Sequence, residues 1–443
     1  MFANGAMRMK WVRIPISLLV CAIAAGCAGV MGPRTAGPGP AGPPLTARHG
    51  APTAFSRTGI PLPSAVGANT SPGGAAPVVL NGYSLFVATG TSMSVMNAVT
   101  GQAAGSEGPA YTVLKPPAGT NSPGDAPATP LVVSVGGQRV TLAGYVVQIP
   151  GEGTVAPSVA LELDAVDASA RRLWEILAPL PGQPSDLAGD PTVSLVGSAG
   201  DAAVAVVGDA GDGYRTVAFD LAGRKAAWQD PSFVAGAVGG NTVVGTTDDA
   251  SRSGLGSHSE GDTLYVSGVG LRTGKTEWRR SGPVSGASVA QAGPREVLVE
   301  AIDASSGKDV ISLLSAGSGT GTVIAAESPS FGSQSLPWTC RFDGRRTVVC
   351  GSSQGDHAFA VDGETGDTLW KLPDQSANRV APDITAVYDG MVYGTTANGP
   401  LVLNARTGKD VNDSPGIAPV AVDPDVGIAD TASSGLEAYL ATG

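Results

Sequence analysis

The chain is poor in aromatic residues (5%), poor in charge (15%) and nearly without histidine (3 in 443 residues). His49, His258 and His357 lie far apart in the sequence, so no histidine constellation for metal binding or acid–base chemistry is spelled out. No His-Glu-x-x-His, Cys-x-x-Cys, Gly-x-Ser-x-Gly or Walker A pattern occurs. No apolar run reaches the ~20 residues that a membrane-spanning helix requires. Basic residues are outnumbered, 27 against 38, for a net charge of −11. That balance disfavours nucleic acid and anionic headgroups, which both call for basic patches, and an acidic surface reads first as a solubility device.

What is abundant is glycine (63) and proline (34), beside 42% hydrophobic residues: turns in number and enough apolar side chain for a core. The informative stretch is 357–370, His-Ala-Phe-Ala-Val-Asp-Gly-Glu-Thr-Gly-Asp-Thr-Leu-Trp. It reads as an alternating strand, a tight turn and a second strand with a large aromatic residue. Asp362 can bond the backbone ahead of it, and Gly366 can take a positive φ. Counting Asp362, Thr365, Gly366 and Trp370 as positions 0, +3, +4 and +8, the frame recurs. Gly270, Thr273, Gly274 and Trp278 fit it; Asn404, Thr407, Gly408 and Asn97, Thr100, Gly101 fit it without the Trp. Asp220 to Trp228 keeps the outer spacing, Asp164 to Trp174 carries two extra residues, and Ser315, Ser318, Gly319, Val323 is a degenerate copy. Asp164, Asp220 and Asp362 are thus the expected turn aspartates. A period of 35–67 residues built from short strands is a propeller signature.

Ala-x-Asp-x-x-Thr-Gly-x-x-x-Trp, after strands that begin near a proline (Pro77, Pro130, Pro191, Pro337, Pro382, Pro419), resembles the PQQ-like, quinoprotein-type β-propeller repeat over residues 75–443. The resemblance implies that Trp174, Trp228, Trp278 and Trp370 pack against the neighbouring blade. The expected fold is all-β: a single propeller of eight four-stranded blades, with seven as the alternative. The final repeat, 417–443, offers three strands, ending on Leu436 to Ala441, and Thr442-Gly443 begins an eighth turn. A three-stranded blade would leave a bare edge, which native sheets avoid. Part of residues 50–66, where Phe55, Ile60 and Leu62 stand out, is therefore expected to pair beside Leu436 to Leu440. The alternative is that these residues continue the tether.

Residues 1–26 read as an address: Arg8, Lys10 and Arg13, then an apolar Ile14 to Ala25 too short to span a membrane. The ending Ile23-Ala24-Ala25-Gly26-Cys27 resembles the bacterial lipobox, with Ala24 in place of the usual Leu, and implies lipidation of Cys27. An ordinary signal peptide with an incidental Cys is the alternative. Residues 27–49 form a Pro/Gly-rich tether, and 50–443 the propeller. The chain is expected to be exported, lipid-anchored to the outer face of a bacterial membrane, and monomeric.

Cys340 and Cys350 flank Phe342-Asp343-Gly344-Arg345-Arg346, and a hairpin centred on Arg345 would set the thiols opposite each other; a disulfide is expected, two buried thiols being the alternative. Gly317 to Gly321 falls on a repeat turn and is not a phosphate cradle. Asp209-Ala210-Gly211-Asp212-Gly213 lacks the downstream Glu of an EF-hand and reads as a hairpin turn. Quinoprotein dehydrogenases hold PQQ beneath adjacent half-cystines with Ca²⁺, and no adjacent cysteines occur here. The expectation is therefore no cofactor, no metal, no catalytic residue and no enzyme. The leading reading is an envelope scaffold for other, unidentified envelope proteins, similar to the lipoprotein scaffold family of the outer-membrane assembly machine. A small-ligand or glycan sensor is the alternative, with a PQQ-dependent dehydrogenase behind it.

One outcome follows from the leader alone. Cys27→Ser should abolish acylation and leave an unprocessed precursor by mass spectrometry, whereas processing at another residue would contradict the lipobox reading.

Overall fold

The computed structural model describes residues 50–62, 77–114, 128–181, 191–209, 213–248, 264–327, 338–352, 355–431 and 435–443. The leader, Cys27, the tether with His49, and the loop from Ser251 to Asp262 with His258 lie outside them. The chain divides into two units, Met1–Pro44 and Leu45–Gly443, and the second holds every described residue.

This unit is all-β, built from antiparallel sheets that are mostly four-stranded. Among the described residues the single helical element is a short 3-10 turn, Gln375–Ala377. Prolines open several strands, where a missing N–H costs no ladder bond: Pro77 before Val78–Asn81, Pro130 before Leu131–Val135, Pro191 before Thr192–Ala199 and Pro382 before Asp383–Tyr388. Pro337 lies outside the described residues.

Sheet A comprises Val78–Asn81, Ser84–Ala88, Met93–Asn97 and Ala103–Glu107. In sheet B the long strand Gln138–Ile149 takes two short partners on one side, Thr112–Val113 and Leu131–Val135, and is followed by Ser158–Val166 and Arg172–Leu180. Sheet C comprises Thr192–Ala199, Ala202–Asp209, Gly213–Asp220 and Lys225–Asp230. Sheet D has two four-stranded halves, running from Phe233–Gly239 to Thr276–Arg279 and from Val284–Gln291 to Gly321–Glu327. The single pair Leu264 with Val284 joins the halves. Sheet E comprises Trp338–Phe342, Thr347–Ser352, Ala358–Asp362 and Thr368–Leu372, and sheet F runs from Asp383–Tyr388 to Asp410–Asn412.

Sheet G unites the first and the last of the described segments. Its order is Ile60–Pro61, Gly435–Leu440, Val426–Thr431, Ala421–Val422. Ile60 pairs with Ala438 and Pro61 with Glu437, and an isolated bridge joins Phe55 to Ala441. Thr53 N–H donates to Gly443 O, and Leu62 N–H to Leu436 O. The segment chosen from the sequence for its three apolar residues is thus the one that covers this edge.

The alternation of side chains along each strand gives every sheet two apolar faces, and the clusters between sheets follow chain order. Phe86, Met93 and Val95 of sheet A pack with Tyr145 and Val147 of B; Leu161 and Leu163 of B with Val217 and Phe219 of C. Val204 of C meets Phe233 of D, Val244 meets Val299 across the two halves of D, and Leu298 and Ile311 meet Phe359 of E. Ala360 of E meets Val392 and Leu403 of F, and Tyr393 of F meets Tyr439 of G together with Phe55. A further cluster joins Ile428 and Leu436 of G to Leu85 and Met96 of A, with Leu62 beside them.

Because Ile60 carries the first strand's apolar contact with sheet A, Ile60→Asp should lower stability by about 2–4 kcal/mol. Arg57→Ala, at an exposed position of the same segment, should stay within about 0.5 kcal/mol of the parent. Equal midpoints for the two variants in urea would show that the segment does not contribute to folding.

Candidate functional site

The recurring turn is the element from which the site residues are built. At Asp362, Oδ1 accepts N–H bonds from Glu364 and Thr365, and the turn is closed by Gly366 at φ 78°. Asn97 and Asn404 accept the same pair of bonds, and Gly101, Gly274 and Gly408 have φ of 69°, 67° and 66°. Asp220 accepts from Gly223 N–H. Position +4 of that turn is Arg224, a side chain held at φ 51° where the other turns have glycine.

Three half-buried indoles sit on the turn of the following repeat. Trp228 Nε1 donates to Leu271 O (2.8 Å), Trp278 Nε1 to Ala316 O (2.6 Å) and Trp370 Nε1 to Ala405 O (2.7 Å). The rings cover the glycines of those turns: a Cβ on Gly274 would lie 2.8 Å from Trp228 Cγ, and one on Gly408 2.7 Å from Trp370 Cγ. Gly319 is covered likewise by Trp278. Glycine is needed there twice over, for its positive φ and for the closeness of the ring. Trp174 packs in the cluster that contains Leu221. At Gly101 the covering side chain is Ile60.

Asp164 is a correction. It lies within the strand Ser158–Val166, paired with Glu175, and the turn beyond is made by Asp167, whose Oδ1 accepts from Ser169 and Arg171 N–H. Ala170, at φ 60°, does the work of the glycine, so the frame there is not the one expected from the spacing.

Instead, Asp164 belongs to a buried cluster that the sequence did not disclose. Glu162 is 0% and Asp164 1% exposed, and Arg172 Nη1 lies 3.1 Å from Glu162, 3.2 Å from Glu175 and 3.7 Å from Asp164. Arg172 Nε is 3.6 Å from Glu107 of sheet A. Glu162 also accepts the N–H of Ala110 and of Tyr111. Burial, together with Glu162 alongside, pushes the Asp164 carboxyl up to about 8. A second buried carboxyl pair, Glu300 and Asp309, lies in the later half of sheet D; burial and the neighbouring Asp309 raise Glu300 to about 9. Asp362 shows the opposite balance. Burial works to raise it, but the N–H of Glu364 and the guanidinium of Arg346, with further help from Thr365 N–H and Arg406, hold it at about 2.

Cys340 and Cys350 form a disulfide across the first hairpin of sheet E. The turn between them, with Asp343 Oδ1 accepting N–H bonds from Arg345, Arg346 and Thr347, borders a cavity of about 310 Å³. Its walls include Arg295, Phe342, Arg345, Arg346 and Glu364. Arg345 is held by both oxygens of Asp389, and Arg346 by Asp362 and Glu364.

No family model matches the chain, and no curated protein matches it in sequence. Among solved structures, an uncharacterised protein of Listeria monocytogenes EGD-e is 10% identical, covers 83% of this chain and 97% of its own, and has a TM-score of 0.39. A variant of the Synechocystis apocarotenoid oxygenase is 10% identical over 75% of this chain and 70% of its own, at a TM-score of 0.34. Citrobacter koseri AztD is 14% identical over 74% and 93%, at 0.33. The expectation that the chain is not an enzyme is corrected on this point: structures similar to it include enzymes, the apocarotenoid oxygenases. At such TM-scores no activity passes from them to this chain.

Two outcomes follow. Trp370→Ala should lower stability by about 2–4 kcal/mol, seen as an earlier urea midpoint. The second concerns pH. Glu300, held up at about 9, keeps a proton in the folded state that the unfolded chain releases near its ordinary value, so its contribution is complete at low pH and is lost as pH rises towards 9. Asp362, held down at about 2, contributes above the ordinary carboxylate range and loses that contribution as pH falls. The melting temperature should therefore peak near about pH 4–5 and decline towards 9. Glu300→Gln should flatten the decline, and a parent Tm that rises from pH 5 to 9 would contradict the assignment.

Proposed function

We propose that the chain is an exported, lipid-anchored β-propeller of eight four-stranded blades, of the PQQ-like repeat type, that organises other proteins at the outer face of a bacterial membrane. Support for the ring comes from the apolar clusters, which run from A through B, C, the two halves of D, E, F and G, and from the further cluster that joins G to A. Counting the halves of sheet D separately gives eight blades, and Ile60–Pro61 completes the last. A disulfide favours an oxidising compartment, as expected for an exported chain. The anchor on Cys27 rests on the sequence.

The observation that carries the interaction reading is the cavity at the turns of sheets D and E. On a chain of net charge −11, Arg295, Arg345 and Arg346 converge there from two turns. Among the described residues Arg295 has no ion pair, and its neighbours are held in place by Asp389, Asp362 and Glu364. Preorganised guanidinium groups beside an apolar wall suit the carboxylate side chains of a partner protein.

The test is photo-crosslinking in cells with a reactive residue at position 295 or, as a control, at the exposed Val155. The reading expects a discrete protein adduct from 295 alone, weakened when Arg345 is changed to Glu. Equal labelling from both positions would overturn it. A co-purifying small molecule in place of a protein adduct would move the function to ligand sensing.

A further inference from the structure

The acidic cluster between sheets A and B has more oxygen, and more negative charge, than its surroundings satisfy. Glu162, Asp164 and Glu175 each bring a carboxylate oxygen within 4.8 Å of the others. Glu107 stands beside them, and Arg172 is the one cation the described residues place in ion-pair range of the cluster. Four carboxylates therefore face one guanidinium.

The second observation is independent of charge. The hydroxyl of Tyr145 and Oγ1 of Thr141 are buried and make no hydrogen bond among the described residues, and the buried oxygens of Asp164 meet no hydrogen-bond partner there but the neighbouring carboxyl of Glu162. Tyr145 is 5% and Thr141 0% exposed. They stand on one face of adjacent strands: Tyr145 is opposite Glu162, Ala143 opposite Asp164 and Thr141 opposite Val166. Asp164 is consequently flanked on the diagonal by the two hydroxyl-bearing residues. Buried oxygens left without partners in this number call for an explanation, and a bound cation supplies one.

The donor set is entirely oxygen, which selects hard cations, and its mixture of carboxylates with neutral hydroxyls suits the tolerant coordination of Ca²⁺ better than the strict octahedron of Mg²⁺. We propose that Glu162, Asp164 and Glu175, with the hydroxyls of Thr141 and Tyr145 nearby, form a binding site for a hard divalent cation, Ca²⁺ first. Its place in the fold gives it a use. At the junction of sheets A and B, position +8 of the Asn97 frame is Gly105, so no indole is available, and the side chain nearest that glycine is the methyl of Ala170. A cation held by sheet B and attracting Glu107 of sheet A would fasten the junction that lacks a tryptophan.

The test uses the whole chain, stripped with EDTA, and titrates CaCl₂, MgCl₂ and MnCl₂ by calorimetry and thermal melting. One Ca²⁺ per chain is expected, with a rise in Tm of about 3–6 °C at a hundredfold excess over Kd. Asp164→Asn keeps the shape of the carboxyl but cannot supply a charged oxygen; it should fold without the ion, yet lose the Ca²⁺-dependent shift. Tyr145→Phe should weaken binding, and Glu152→Gln, at an exposed position outside the cluster, should leave it unchanged. No heat and no Tm change with any of the three salts would overturn the proposal. So would a Ca²⁺ shift that persists in Asp164→Asn.

Discussion

The structure depends on one contact, the tryptophan of a repeat laid over the glycine of the next. A four-stranded antiparallel sheet alone has two apolar faces to bury and cannot do so by itself. The indole ring spans the gap because it combines a large apolar area with a donor at its edge. The area covers Gly274, Gly319 or Gly408, and the donor reaches the carbonyl of Leu271, Ala316 or Ala405. The glycine's positive φ follows from the Asx turn, and the same glycine's bare Cα makes room for the ring. Turn chemistry and sheet packing are therefore a single constraint, which is why the turn motif recurs with the tryptophan at fixed spacing.

Where the tryptophan is missing, the chain substitutes different physics. Ile60 from the N-terminal strand covers Gly101. Val323 stands in the tryptophan position of the degenerate repeat and is 58% exposed, so it does not close that junction. The junction of E and F adds an ion pair to its indole, Arg406 Nη1 with Asp362 Oδ2 at 3.0 Å. Two of the junctions without tryptophan, A with B and the later half of D with E, border the buried carboxyl groups Glu162 with Asp164 and Glu300 with Asp309.

The turns were legible because their physics is local: Asp362, Gly366 and Trp370 interact within nine residues, or with a copy of the same pattern. The edge strand was legible because Phe55, Ile60 and Leu62 stand out among the mostly small and polar residues of 50–66. Asp164 was misplaced because Ala170 takes the left-handed conformation that a glycine search cannot find. The carboxylates escaped notice for a different reason. Glu162 and Asp164 alternate with Leu161, Leu163 and Ala165, the pattern of a strand with one face in water, and only sheet A and the long strand Gln138–Ile149 make that face an interior. Arg295 and Arg345 meet from turns fifty residues apart, and nothing in either turn announces the other. The expectation of no enzymatic activity rested on motifs being absent, and motifs do not register groups that are assembled by folding.

The central claim is that ring and glycine form a coupled unit, and a double-mutant cycle on Trp278 and Gly319 tests it most directly. Gly319→Ala drives a methyl into the indole, so its cost should largely disappear once Trp278 has been replaced by Leu, apart from the share due to the positive φ. Stability by urea unfolding should give a coupling energy of at least about 1 kcal/mol between the two positions. Additive losses would mean that the turn and the indole are independent, and the account of how successive sheets are joined would be wrong.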